Sequence, residues 1–191
     1  VWDDSRFLCK KYYSEVLNYL KEFKDLKEVI LFYRWPFFLS GERFNNSEGG
    51  SEIGSSHYLV EIKKQNLPNA SNRINFLINE TKNFINNIYS INNNITIISS
   101  TPEMGWSVPK YLIRKHLNKK RIDDNYLSID KKVFYERNKF AHKMIDEIKN
   151  KYKIKVLYPE NYLCSELRCL AHIDGYPLFY DDDHLSSLGS S

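Results

Sequence analysis

The sequence predicts an α/β fold with three layers, in which helices cover both faces of a parallel sheet. Segments with an apolar residue at every third or fourth position alternate with short runs of aliphatic and β-branched residues, as helices and buried strands do. Because a helix separates each strand from the next, right-handed crossovers make neighbouring strands parallel. A chain of 191 residues that is 42% hydrophobic is long enough for one domain with its own core. We therefore expect a single domain over residues 1–191.

The first half of the chain begins with an amphipathic helix over residues 5–24, whose apolar positions recur every four residues: Leu8, Tyr12, Val16 and Leu20. A buried strand is predicted over residues 28–33. The segment 40–56 is rich in Gly, Ser and Asn. We expect it to be too polar to pack, and so to form an exposed loop or a lid over a site.

The second half continues the alternation. A second helix follows Pro68, with apolar positions at Ile74, Leu77, Ile78, Ile85 and Ile88, and residues 95–98 form a second strand. A third helix precedes a third strand over residues 154–157, and its inward-facing positions are Phe134, Ala141, Ile145 and Ile148. His142 lies on a lysine-rich stretch of this helix, so we expect it to be solvated.

The charge pattern indicates an ordinary solvated surface. The formal net charge is +4, and the densest basic cluster, Lys119-Lys120-Arg121, is followed at once by acidic residues. We therefore expect no nucleic-acid partner. The longest apolar run, residues 29–33, is far shorter than the roughly 20 residues that a membrane-spanning helix needs. Any link to a membrane would come from a region outside this sequence.

Asp181 and His184 stand three residues apart, the spacing of a general base and the carboxylate that orients it. Such a base takes a proton from a hydroxyl nucleophile, but the sequence has no Gly-Asp-Ser motif to supply one. The alternative is that three consecutive aspartates solvate a turn and that His184 caps a following helix. A metal site is not expected, because adjacent aspartates point apart and no second histidine stands at ligand spacing.

The segment LFYDDDHLSSLG at residues 178–189 resembles the end of the SGNH domain that is fused to bacterial membrane-bound O-acyltransferases. Earlier segments match this family in the same order: VILFYRW at 29–35, STPEMGWSVP at 100–109, and the paired-cysteine stretch 164–169 followed by DGYPL at 174–178. The resemblance implies an SGNH-hydrolase-like, flavodoxin-like parallel sheet. It also implies that the first strand, which carries the nucleophilic serine, is missing and lies upstream of this sequence.

For function, the resemblance implies transfer of an acyl group, most often acetyl, by a Ser-His-Asp mechanism that needs no cofactor. The acceptor would be a hydroxyl of a surface polysaccharide or a lipid-linked glycan. A membrane acyltransferase domain of the same polypeptide would supply the acyl group, and this domain would be periplasmic or otherwise extracytoplasmic. An SGNH esterase that deacetylates glycans and a non-catalytic glycan-binding module remain alternatives.

In this interpretation, His184 is the general base and Asp181 holds its imidazole in the correct tautomer. Asp182 and Asp183 are expected to point to solvent or to a helix start, and to matter little.

Arg34, or a backbone N–H near Trp35, would stabilise the oxyanion. The alternative is that Trp35 fills the edge of the core and that Arg34 pairs with a carboxylate. Arg34, the loop at Thr101 and the turn at Asp181 are all expected at the carboxyl edge of the sheet, where ligands bind in folds of this class.

Two of the three cysteines, Cys164 and Cys169, lie close enough along a loop to form a small disulfide, which would indicate an oxidising compartment. Cys9 would be left over. It either pairs with a cysteine upstream of this sequence or sits as a small buried residue on its helix.

Overall fold

The computed structural model describes residues 3–23, 25–58, 69–118 and 127–191, with the side chains of the first helix described from residue 11 onward. The basic cluster at 119–121 and the side chain of Cys9 lie outside the described residues. None of the helices in the described part of the chain combines the length and the apolar character that crossing a membrane requires.

The elements along the chain are α1 (Asp3–Glu22), β1 (Val29–Phe32), α2 (Trp35–Ser40), α3 (Ala70–Ile91), β2 (Ile95–Ile98), α4 (Val108–Leu117), β3 (Ile129–Asp130), α5 (Lys131–Tyr152), β4 (Lys155–Leu157), α6 (Glu160–Leu163), β5 (Arg168–Cys169), β6 (His172–Ile173) and β7 (Tyr176–Pro177). The three long helices and three of the strands agree with the sequence prediction to within a few residues.

Strands β1, β2 and β4 form a parallel sheet in that order, which confirms the predicted α/β class. The last paired residues are Phe32, Ile98 and Leu157, so the three strands end at the same level. The segments that leave these strands therefore begin side by side at the carboxyl edge of the sheet.

The long helices pack against one face of the sheet. Leu31 and Ile97 point from that face into a core completed by helical side chains, among them Leu20, Leu77, Ile85, Ile88, Ala141, Ile145 and Ile148. On the other face, Ile30 and Phe32 of β1 are 59% and 54% exposed. Within the described residues, β1 pairs with β2 alone, so its outer edge carries no strand.

A second, smaller core is built largely from short elements that the sequence did not predict. Strand β3 pairs antiparallel with β5, and β6 pairs antiparallel with β7. The buried side chains of this core include Met104, Val108, Leu112, Ile129, Phe134, Leu163 and Phe179. Because Met104 and Phe179 belong to it, this core supports both the loop after β2 and the turn near residue 181.

Segment 41–58 contains most of the stretch 40–56 that was expected to be too polar to pack. Gly41, Phe44, Asn46 and Gly50 are buried, which corrects that expectation, whereas residues 53–56 are exposed as expected. The amide of Asn46 is fully buried and donates from Nδ2 to the carbonyl of Met104 at 2.8 Å. Its Oδ1 accepts from the backbone N–H of Gly50, also at 2.8 Å. A Cβ at Gly50 would lie 2.3 Å from Asn46 Nδ2, so this close approach requires glycine. Polar groups can be buried here because their hydrogen bonds are satisfied.

Cys164 and Cys169 form a disulfide, as predicted. It closes a short hairpin in which the backbone N–H of Ser165 donates to the carbonyl of Arg168 at 2.7 Å. The disulfide therefore ties the end of α6 to β5, at the start of the segment that leads into the turn near residue 181.

Candidate active site

The turn formed by residues 181–184 is docked onto the loop that follows β2. The backbone N–H of Met104 donates to the carbonyl of Asp182 at 2.7 Å, and that of Val108 donates to the carbonyl of Asp181 at 3.0 Å. Thr101 donates from its hydroxyl to the carbonyl of Asp183 at 3.4 Å. The predicted convergence of this turn with the Thr101 loop at the carboxyl edge of the sheet is thus observed.

Asp181 folds the turn around its own carboxylate. Oδ1 accepts hydrogen bonds from the backbone N–H groups of Asp183 at 3.0 Å and His184 at 2.9 Å. Oδ2 lies 2.9 Å from Nδ1 of His184. An aspartate that caps the amides two and three residues ahead brings a histidine at the third position back over its other oxygen. The i, i+3 spacing read from the sequence therefore corresponds to a direct contact.

The electrostatics of this pair suit an ionised carboxylate beside a basic imidazole. The pKa of His184 is raised, first by its hydrogen bond to Asp181 and then by the negative charge of Asp183, while partial burial opposes the rise. Burial raises the pKa of Asp181, but the two backbone N–H groups and the imidazole together lower it below its usual range. Asp181 is therefore an anion at neutral pH and favours the tautomer with the proton on Nδ1.

Nε2 of His184 makes no hydrogen bond to any described residue, and the side chain is 74% exposed. With Nδ1 held by carboxylates, Nε2 is the atom that can accept a proton from a hydroxyl group. Residues 185–191 form no helix, so His184 does not cap one.

The expectation that the Asp183 carboxylate points to solvent was wrong. Its side chain is 10% exposed, with Oδ1 2.9 Å from Nδ1 of His184 and Oδ2 2.9 Å from a terminal nitrogen of Arg34. The turn that closes over the Asp181 carboxylate brings the residue two positions later against the same imidazole. Asp182 is partly buried, and its pKa is raised by burial and by the nearby charge of Glu52.

Arg34 lies just beyond β1 and is surrounded by three carboxylates. Nε donates to Glu103 Oε1 at 2.5 Å, and the two terminal nitrogens form a bidentate pair with Glu52 at 2.9 and 2.6 Å. The third carboxylate is Asp183. Burial alone would lower the pKa of Arg34, but these carboxylates raise it, so the guanidinium remains charged.

Glu52 and Glu103 are each shared with a second arginine. Glu52 also pairs with Arg43, and Glu103 also accepts from Nε of Arg137 at 2.6 Å. Burial raises the pKa of Glu52, but Arg34, the backbone N–H of Phe44 and Arg43 lower it to about 2. The result is a connected ionic network beneath the Asp181–His184 turn.

The side chain of Trp35 belongs to the core. It is 1% exposed, and its indole N–H donates to the carbonyl of Ile98 at 2.8 Å. Both parts of the alternative interpretation are therefore observed, since Trp35 fills the core edge and Arg34 pairs with carboxylates. Oxyanion binding by Arg34 or by a backbone N–H near Trp35 stays a prediction.

Glu52, Arg137 and Glu103 are site residues that sequence reasoning missed. Glu103 lies inside the segment 100–109 that resembles the family, but its role had no local signal. Glu52 and Arg137 lie 18 and 103 positions from Arg34 in sequence. Only the folding of segment 41–58 brings Glu52 to Arg34, and only the packing of α5 brings Arg137 to Glu103. Oppositely charged residues at such separations give no pattern that a single sequence reveals.

His142 is not solvated, which corrects the sequence expectation. Its Nε2 lies 3.3 Å from the buried hydroxyl of Ser99 and 3.4 Å from Oε1 of buried Glu160. Burial lowers the pKa of His142 and raises the pKa of Glu160. This serine is a poor candidate nucleophile, because it is fully buried and because serine and glutamate approach the same ring nitrogen rather than opposite ones.

Ligand atoms of Asp181, Asp183 and His184 lie within 4.8 Å of one another. The sequence argument concerned adjacent aspartates and did not cover Asp181 and Asp183, which are two positions apart and whose carboxylates converge on the imidazole. Arg34, however, already lies at 2.9 Å from Asp183 and supplies positive charge there. The expectation that no metal binds stays a prediction.

Comparisons with known proteins identify the family and the fold of the chain. The sequence model of a family described as the SGNH domain fused to AT3 domains matches residues 2–191. A solved structure of the periplasmic domain of the lipopolysaccharide acetyltransferase from Salmonella ser. Paratyphi A is similar in fold, with a TM-score of 0.57 and 18% sequence identity. The similarity covers 93% of this chain and 57% of that chain. A search of curated proteins finds no match.

Proposed function

Because the chain belongs to the family of SGNH domains fused to AT3 domains, we propose that it takes part in transferring an acyl group, most simply acetyl, to a hydroxyl of a cell-surface glycan. The Asp181–His184 contact carries this proposal. It supplies an oriented general base whose Nε2 faces away from the turn, as acyl transfer through a hydroxyl nucleophile requires.

His184 accepts the proton of the nucleophile as the hydroxyl oxygen attacks the acyl carbonyl. It then gives this proton to the leaving group of the donor, whose bond to the acyl carbon breaks as the acyl-enzyme forms. In the second half of the reaction, His184 removes the proton of the glycan hydroxyl as that oxygen attacks the acyl-enzyme, and it returns the proton to the oxygen of the nucleophile as the bond between that oxygen and the acyl carbon breaks. Asp181 stabilises the imidazolium in both halves and keeps the N–H on Nδ1.

We propose that the nucleophilic serine lies on a strand outside this sequence that pairs with the edge of β1 along which no described strand lies. The exposed side chains Ile30 and Phe32 and a groove of about 370 Å³ lie along β1, and the groove is also lined by Tyr12 and Phe84. A strand parallel to β1 would end at the same edge as Arg34, which is itself linked to His184 through Asp183. An added strand would thus both cover apolar surface and deliver a serine to the site.

The acyl group is proposed to come from a membrane acyltransferase domain, and the compartment to be extracytoplasmic. The family's fusion to AT3 domains supports the proposed acyl source. The periplasmic origin of the similar structure supports the proposed compartment. The Cys164–Cys169 disulfide fits an oxidising compartment.

The test is glycan acetylation by the intact polypeptide, followed by mass spectrometry of the isolated glycan. We expect His184→Ala to reduce acetylation by about a thousandfold or more, because the base is lost. His116→Ala removes an exposed histidine on α4 and is expected to have no effect. Wild-type acetylation by His184→Ala would contradict the proposal, and release of acetate to water without glycan acetylation would identify an esterase instead.

A further inference from the structure

Two carboxylates approach the same imidazole nitrogen in this site. Asp181 Oδ2 and Asp183 Oδ1 both lie 2.9 Å from Nδ1 of His184. A single N–H can point straight at only one of them. The hydrogen bond is made to Asp181. Asp183 therefore acts on the imidazole mainly through its charge and its fixed position.

The two carboxylates differ in what holds them. Asp181 is anchored by backbone N–H groups of its own turn, and its side chain is 36% exposed. Asp183 is anchored by Arg34, whose remaining donors are engaged by Glu52 and Glu103. Asp181 thus orients the ring within the turn, whereas Asp183 connects the ring to the end of β1.

We propose that Asp183 is a positioning residue that, through its ion pair with Arg34, fixes the imidazole of His184 relative to strand β1. The contribution to acyl transfer rests on the proposed function, while the structural link does not. In this arrangement Arg34 serves the base indirectly and is a positioning residue as well.

The charged groups that face Asp183 make the link sensitive to pH. Asp181, Asp182 and His184 face it from its own turn, and Arg34 faces it from the end of β1. Burial raises the pKa of Asp183 to about 6, against the opposing effects of Arg34 and His184, with Asp181 and Asp182 adding to the rise. The carboxylate is charged above this pH and holds both partners. As the pH falls through about 6, protonation weakens its hold on Arg34 and His184.

The direct test is a titration of His184 by NMR in the 191-residue chain, which needs no catalytic activity. Asp183→Asn removes one negative charge beside Nδ1 with little change in shape, so we expect the pKa of His184 to fall. Asp182→Asn is the matched control, since the carboxylates within 2.9 Å of Nδ1 of His184 are those of Asp181 and Asp183. In the wild type, the His184 resonances should also show a second inflection near pH 6, a readout that does not depend on any variant folding.

A second experiment compares the rates of acyl transfer by the same variants of the intact polypeptide. Asp183→Asn should lower kcat by about 10–100-fold with little change in KM, because a misplaced base affects the transition state more than binding. The inference is overturned if Asp183→Asn leaves the titration of His184 unchanged, or if Asp182→Asn shifts it equally. A shifted titration in an enzyme that acetylates no glycan would uphold the positioning link and refute the proposed function.

Discussion

Arg34 and Glu103 join the ends of strands β1 and β2, with Nε of the guanidinium 2.5 Å from Oε1 of the carboxylate. Glu103 is almost fully buried and also binds Arg137 of helix α5. One carboxylate therefore connects two strand ends and a helix beneath the turn that carries His184. Breaking this connection should affect the whole carboxyl edge of the sheet.

Glu103→Ala should destabilise the fold by about 3–5 kcal/mol, because it leaves two partly buried guanidinium groups without their shared partner. Urea denaturation of the 191-residue chain measures the change in the free energy of unfolding. The control is Glu136→Ala on α5, which removes an exposed pair with Lys139 and should cost less than about 1 kcal/mol. Equal effects of the two variants would contradict the role given to Glu103.

Loss of the Cys164–Cys169 disulfide should destabilise the chain by about 2 kcal/mol, as expected for a loop this short. The double variant Cys164→Ser/Cys169→Ser and the reduced wild type should show the same shift in urea denaturation. Non-reducing mass spectrometry of protein exported to the periplasm provides the independent check. Two free thiols in that sample would rule out the pairing.

Glu160→Gln should become increasingly stabilising, relative to the wild type, as the pH rises above about 4.3, the usual pKa of an unfolded glutamate. Burial raises the pKa of Glu160 in the folded chain, so the wild type loses stability as the pH rises through that folded pKa, whereas the neutral amide does not.

Unfolding free energies between pH 4 and 8 test this dependence. The free energy of unfolding of Glu166→Gln, a change at an exposed position, should depend on pH in the same way as that of the wild type. If the free energy of unfolding of Glu160→Gln shows the same pH dependence as that of the wild type, then ionisation of Glu160 does not destabilise the folded chain.

The regular framework could be predicted from the sequence because its signals are local. Helices α3 and α5 have 22 residues each and bury one apolar stripe, and the strands between them are short aliphatic runs. The two-residue strands around Cys169 and His172 are too short to show any periodicity. The stretch around His116 is read as helical from the sequence, but the bounds of helix α4 could not be predicted, since only Val108 and Leu112 mark its buried face.

The candidate site was predictable only where its residues are close in sequence. The Asp181–His184 contact follows from the three-residue spacing. The position of Asp183 does not, because it depends on an arginine 149 positions away that reaches the turn only in the folded chain. In the same way, the polarity of segment 41–58 suggested exposure, whereas the buried amide of Asn46 shows that satisfied hydrogen bonds allow a polar loop to pack.

The most direct test of the central claim, that Asp181 orients His184 as the base for acyl transfer, is the rate of glycan acetylation by intact Asp181→Asn protein. The amide keeps the size of the carboxylate but no longer favours the proton on Nδ1. We expect kcat to fall by about 10⁴-fold at matched expression, with a smaller change in KM. A decrease of less than tenfold would show that Asp181 does not orient a catalytic base.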